Sequence, residues 1–211
     1  MGAQVNIDVR TKGYKVKTYF KTVTLLKIIC LLAITICTSV AASDTSNQQK
    51  YPLVITFHNS TRIGNDNENQ LEPFAKIWLR PEIYTKYQCY VIAPQFSERS
   101  SNYEKNSDGI QISKPSAAVF ALLELIQNIE KEYPNIDKNK IYLIGYSMGG
   151  STAQNLLNIA PDQFAGMVSV AAVPDFSNLK KLSQKNIWLI HGKKYDDNPY
   201  IGSVELFAKL S

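Results

Sequence analysis

From residue 51 onward, short and wholly apolar runs take turns with amphipathic ones. Leu53-Val-Ile-Thr-Phe57, Cys89-Tyr-Val-Ile-Ala93, Ile141-Tyr-Leu-Ile144, residues 167–173 and Ile187-Trp-Leu-Ile190 predict five strands. Runs of that length without alternation are strands covered on both faces. Between them, residues 69–79 predict a short helix. Pro115 opens a longer one to about residue 132, with Val119, Leu122, Leu123, Ile126 and Ile129 on one stripe. Residues 151–159 predict another helix, and residues 203–210 begin a last one. Residues 95–113 are polar and read as a long loop. Buried strands separated by helices place the chain in the α/β class, with a mainly parallel sheet and helices on both faces.

The first 42 residues follow another pattern. A basic stretch ending at Lys27 is followed by Ile-Ile-Cys-Leu-Leu-Ala-Ile-Thr-Ile-Cys, residues 28–37, and then by small residues up to Ala41-Ala42. That order predicts a secretory signal cut after Ala41 or Ala42, and a secreted or periplasmic protein. The apolar run is shorter than the roughly 20 residues of a membrane span. A membrane association is expected only if the segment is retained as an anchor. Residues 43–50 read as a linker and 51–211 as one domain.

Charge sharpens that division. The net charge of +5 sits entirely in residues 1–42, which hold six basic residues against Asp8. The remaining 169 residues hold 17 basic and 17 acidic side chains. A body without a basic excess is not built to neutralise phosphates, so no nucleic-acid partner is expected. Cys89 is the one cysteine of the body, which excludes an internal disulfide there and reads as a buried small apolar residue. His58 and His191 have no ligand partner three or four positions away, so no metal site is expected.

The candidate chemistry lies at Gly145-Tyr-Ser-Met-Gly149, which is G-x-S-x-G between a predicted strand and a predicted helix. In that context the motif is a nucleophile elbow. The turn is sharp, and its glycines allow neighbouring backbone to approach. Ser147 would present its hydroxyl at the top of the sheet. The Met148 amide, at a helix N-terminus, would face a developing oxyanion.

With these residues in view, the chain resembles the α/β-hydrolases, and among them the secreted esterases and peptidases akin to polyhydroxybutyrate depolymerases and feruloyl esterases. The resemblance is carried by Tyr51–His58, by Gly64-Asn-Asp-Asn67 with Gln70-Leu71, and by Pro81-Glu82 and Ala93-Pro-Gln95. It continues through Ile136–Gly145 into the elbow, then Pro161–Ala165, Trp188–Gly192 and Pro199. It implies acyl transfer through Ser147 on a small-molecule or polymeric ester, without metal or organic cofactor. It implies a second oxyanion amide from Asn59, where the family usually has glycine, and a structural role for His58 at the rim of that hole. Asn59-Ser60-Thr61 also spells a glycosylation sequon.

The rest of the triad departs from the family pattern. Tyr195 stands where the acid usually lies, with Asp196 and Asp197 directly after it, and either aspartate is a candidate acid. The family's base comes after one further helix and strand, and no histidine follows Ser147 except His191. The domain is therefore expected to be C-terminally truncated, and to lack the hairpin that usually precedes the first strand. Three readings follow: a serine esterase inactive or weak as this chain, a degenerate hydrolase that only binds, and a non-functional gene fragment.

Overall fold

The structure, a computed structural model, describes residues 5–11, 14–20, 49–195 and 197–211, with residues 5–20 described by their backbone. Its main sheet has seven strands in the order β1-β2-β4-β3-β7-β8-β9. These are β1 (Val5–Thr11), β2 (Tyr14–Phe20), β3 (Tyr51–Phe57), β4 (Tyr90–Pro94), β7 (Ile136–Tyr146), β8 (Gly166–Val170) and β9 (Asn186–Ile190). The five strands from β4 to β9 in that order run parallel. Each corresponds to a predicted strand. The α/β class with its mainly parallel sheet therefore stands.

The hairpin expected to be missing is present. β1 and β2 pair antiparallel, Val5 opposite Phe20 through Thr11 opposite Tyr14, and β2 pairs antiparallel with β4, Val16 opposite Pro94. The signal for it was legible. Val5, Ile7 and Val9 alternate with Asn6, Asp8 and Arg10, a half-buried strand pattern that lies within the basic stretch preceding the apolar run. The apolar run 28–37 and the small residues up to Ala42 lie outside the described residues. Among those described, no helix is long and apolar enough to cross a membrane.

The register puts alternate residues of the parallel strands on one face. Leu53, Ile55 and Phe57 of β3 line up with Ile141, Leu143 and Gly145 of β7, and Leu143 with Met167 of β8. This face is covered by α3 (Ala117–Glu132), α4 (Met148–Ile159), α5 (Leu179–Leu182) and α6 (Tyr200–Leu210). The predicted stripe of α3 holds: Val119, Leu122, Ile126 and Ile129 are buried in one cluster with Leu53, Ile55, Ile141 and Leu143. Ser116 caps that helix by accepting from the Ala118 amide. The other face carries the segment after β3, which is broken by Pro73 and Pro81 into α1 (Pro73–Lys76), a 3-10 turn and α2 (Pro81–Tyr84) rather than one helix over 69–79. Trp78 of that segment, with Val54 and Tyr142, lines two shallow cavities of about 490 and 430 Å³. Further along the same face Trp188 is 65% exposed.

The expected long loop at 95–113 contains a second hairpin, β5 (Ser101–Lys105) with β6 (Gln111–Pro115). Asp108-Gly109, with Gly109 at φ 76°, is the turn signal that marks it. The hairpin is fastened to α4 by buried polar side chains. Thr152 Oγ1 pairs with Ser100 Oγ at 2.7 Å, and Ser101 Oγ donates to Asn155 Oδ1 at 2.7 Å. Asn155 Nδ2 donates to Ser113 Oγ at 3.1 Å and to Asp175 Oδ2 at 2.8 Å. Because these groups are out of water, losing one partner leaves the others with a desolvation cost. Asn155→Leu should therefore lower unfolding stability by about 2–4 kcal/mol, read by urea denaturation, with proteolytic nicking rising at residues 106–109; a loss below about 0.5 kcal/mol would show the network to be dispensable.

Candidate active site

The elbow is built by contact before chemistry. Ser147 sits between β7 and α4 with φ 54° and ψ −121°, a conformation that L residues rarely adopt. Its amide donates to Val170 O at 2.8 Å, which ties the turn to the neighbouring strand. A Cβ on Gly145 would lie 2.1 Å from Gly149 O, and one on Gly149 would lie 2.3 Å from Phe57 O. Both positions exclude any side chain, and the second holds the start of α4 against the end of β3. Ser147 is 9% exposed, and it opens onto a cavity of about 760 Å³ shared with Asn59, Arg99, Tyr103, Tyr146, Tyr195 and Asp197.

The Ser147 hydroxyl is met by a residue that the sequence did not single out. Asn198, 3% exposed, donates from Nδ2 to Ser147 Oγ at 3.3 Å and to Ala171 O at 2.6 Å. His191 is not a base for Ser147. Its Nε2–H donates to Asn198 O at 2.8 Å, and its Nδ1 pairs with Ser203 Oγ of α6 at 2.7 Å. Both ring nitrogens are thereby engaged with the loop after β9 and with α6. Of the two candidate acids, Asp197 lines the cavity and Asp196 lies outside the described residues. Tyr195, at the acid's usual place, accepts a hydrogen bond from the Tyr146 hydroxyl at 3.1 Å. That bond, then burial and the nearby charges of Asp197 and Glu72, pushes the Tyr146 hydroxyl up to about 12, so it stays protonated.

The two expected oxyanion donors differ. Met148 is the first residue of α4, so its amide has no acceptor one turn back and carries the positive end of the helix dipole. The Asn59 amide is already engaged. It donates to Glu72 Oε2 at 3.1 Å, and Asn59 Nδ2 donates to Glu72 Oε1 at 2.6 Å. Asn59 Oδ1 in turn accepts from the amide and hydroxyl of Thr61. The carboxamide of the sequon is thus held from both ends.

His58 is structural, as expected. It is 1% exposed; its Nε2 accepts from the Phe96 amide at 3.0 Å and its Nδ1–H donates to Asn59 O at 2.7 Å. Acceptance at Nε2 requires the neutral ring, with its proton on Nδ1. Burial lowers the His58 pKa from 6.5, outweighing the Asn59 carbonyl and the Glu72 charge, which raise it. Cys89 is half-buried, and burial pushes its thiol up to about 11, far from a thiolate nucleophile at neutral pH.

Beside the cavity, Arg99 stacks its guanidinium 4.8 Å from the Tyr103 ring, and the Tyr103 hydroxyl pairs with Ser151 Oγ of α4 at 3.3 Å. Both residues come from the β5–β6 region that sequence patterning left as loop.

The pattern of the alpha/beta hydrolase fold family matches residues 87–192, half of the chain, and the chain belongs to that family. Among solved structures it is similar to a thermostable esterase, with 23% identity over 98% of this chain and a TM-score of 0.75. The chain spans about half the length of that esterase, 51%. It is also similar to Est1E from Butyrivibrio proteoclasticus, with 12% identity over 99% of this chain and 85% of that one, at a TM-score of 0.56. A CIB-like hydrolase from Thermoplasma acidophilum aligns over all of this chain and 84% of its own, with 16% identity and a TM-score of 0.54. At these identities the likeness is one of fold. None of the curated proteins matches the sequence.

The neutral tautomer of His58 has a pH consequence. Because its folded pKa lies below the unfolded 6.5, the unfolded chain binds more protons between the two values. The His58 contribution to stability is full above about 6.5 and is lost as pH falls toward the folded value. The thermal midpoint should therefore drop between pH 7.5 and pH 5. His58→Gln should start lower at pH 7.5 but fall less over the same interval. An equal fall in both proteins would remove His58 from the account.

Proposed function

We propose that the chain is a serine hydrolase of carboxylic esters that works through an acyl group on Ser147, weakly in the form described. The supporting observation is the Ser147 turn itself, with φ 54° at a strand-to-helix elbow and the hydroxyl on a cavity of about 760 Å³. In the reaction Ser147 Oγ bonds to the acyl carbon and its proton passes to solvent. The alcohol leaves with a proton from water, and a second water cleaves the acyl-serine to the acid. The Met148 amide, at the N-terminus of α4, would stabilise the oxyanion. Among the described residues no histidine stands against Ser147 to take its proton, since His58 and His191 are both bonded elsewhere. Without that base the rate falls by orders of magnitude, because triad members act as a unit.

A second reading is favoured by the Asn198 amide on Ser147 Oγ: a degenerate hydrolase that holds a small ester or acid without turning it over. The two readings part on reactivity. Incubated with a fluorophosphonate, the full chain should acquire one phosphonyl adduct, mapped by mass spectrometry to Ser147 and absent in Ser147→Ala. A protein whose melting shifts with short-chain esters but which never carries the adduct would be a binding module.

Export is the proposed destination, supported by Lys27, the apolar run 28–37 and Ala41-Ala42. A cut after Ala41 or Ala42 would remove β1 and β2 and leave β4 as the edge of the sheet. N-terminal sequencing of the protein from its native cells should then begin at Ala42 or Ser43. A start at Met1 or Gly2 would instead favour retention of the hairpin.

A further inference from the structure

Glu72 has no part in the chemistry above, yet its carboxylate holds the Asn59 amide that was expected as the second oxyanion donor. Its side chain is 11% exposed, and both oxygens are directed at Asn59, Oε2 at the backbone amide and Oε1 at the carboxamide. Among the described residues its cationic partner is Arg62, whose Nε lies 3.4 Å from Oε1 and whose side chain is 46% exposed. Asn59 and Ser147 share the same cavity. The Cβ space of Gly149 is filled by Phe57 O and His58 O, so the chain leading into Asn59 lies directly on the start of α4, where Met148 offers its amide.

We infer, on the reading of Ser147 as nucleophile, that Glu72 is the residue that sets the rate at which this site accepts an acyl or phosphonyl group, by holding the Asn59 amide and placing a negative charge beside the oxyanion. The effect has two parts of the same sign. One donor is withdrawn from the oxygen that becomes negative, and a removed oxyanion donor costs about 10²–10³ in rate. The Glu72 charge also reaches the Ser147 cavity, where it helps raise the Tyr146 hydroxyl on the cavity wall, and it opposes the same oxygen further. Arg62 offsets part of that charge from the solvent side, weakly because it is half exposed.

Glu72→Gln and Arg62→Met both break the Arg62–Glu72 pair. A merely structural pair would shift both variants in one direction. A charge acting on the oxyanion shifts them in opposite directions, because the first removes the negative charge and the second removes what neutralises it. The test is the rate of fluorophosphonate labelling of the full chain, in which the Ser147 Oγ–P bond forms, fluoride leaves and the proton goes to solvent. Thermal midpoints are measured alongside. Glu72→Gln should label about tenfold faster than the parent or more, and Arg62→Met about two- to threefold slower. Labelling of the parent with no gain in Glu72→Gln, or a shift of both variants in one direction, would overturn the inference and leave Ser147 as nucleophile. Should Glu72→Gln not fold, Arg62→Met decides alone, and an unchanged or faster rate overturns it. If neither parent nor variant is labelled at Ser147, the nucleophile reading falls and this inference falls with it.

Discussion

The arrangement of the whole site depends on one steric constraint, the approach of the Gly149 backbone to the carbonyls of Phe57 and His58. It brings the start of α4 onto the end of β3 closely enough that no side chain fits between them. Gly145 and Gly149 make the same demand across the turn. Ser147 lies between them and takes φ 54°. Backbone strain of about 1–3 kcal/mol persists only where the surroundings over-determine it. Here the Ser147 amide bond to Val170 and the burial of α4 from Met148 to Asn158 supply that determination.

α4 is unusual in carrying buried polar groups at Ser151, Thr152, Gln154, Asn155 and Asn158. Helix–sheet packing alone would favour apolar residues there. These groups instead reach out sideways, to the β5–β6 hairpin on one side and to Ser169, Val173 and Asp175 on the other. The hairpin brings Arg99 and Tyr103 to the cavity, and Asp175 anchors the loop that leaves β8. The helix that follows Ser147 thus also holds the walls around it, so the cavity and the elbow are one mechanical unit.

What surrounds Ser147 differs from a poised triad in a consistent way. The hydroxyl accepts from an amide where a base would stand, the acid's place is taken by a tyrosine bonded to a second tyrosine, and a carboxylate holds the Asn59 amide. Each of these three groups is satisfied by a neighbour, while the Met148 amide stays without an acceptor one turn back. A well-satisfied site binds and waits; a fast one leaves donors free for the transition state.

The α/β order, the five parallel strands, the apolar stripe of α3 and the elbow at Ser147 were legible along the chain, because each is written in local periodicity or in a short motif. The N-terminal alternation from Val5 to Phe20 and the Asp108-Gly109 turn were also written there, and were overridden by a basic run and by a polar stretch. The neighbours of Ser147 were not legible. Asn198 meets its hydroxyl from 51 residues away, Glu72 meets the Asn59 amide from 13 residues away, and neither carries a motif. Whether an asparagine meets a serine hydroxyl, or a glutamate meets an amide, is decided by how the loops after β9 and β3 fold back over the sheet. Periodicity reports which face a residue lies on; only the closed packing of those loops decides which polar atoms touch.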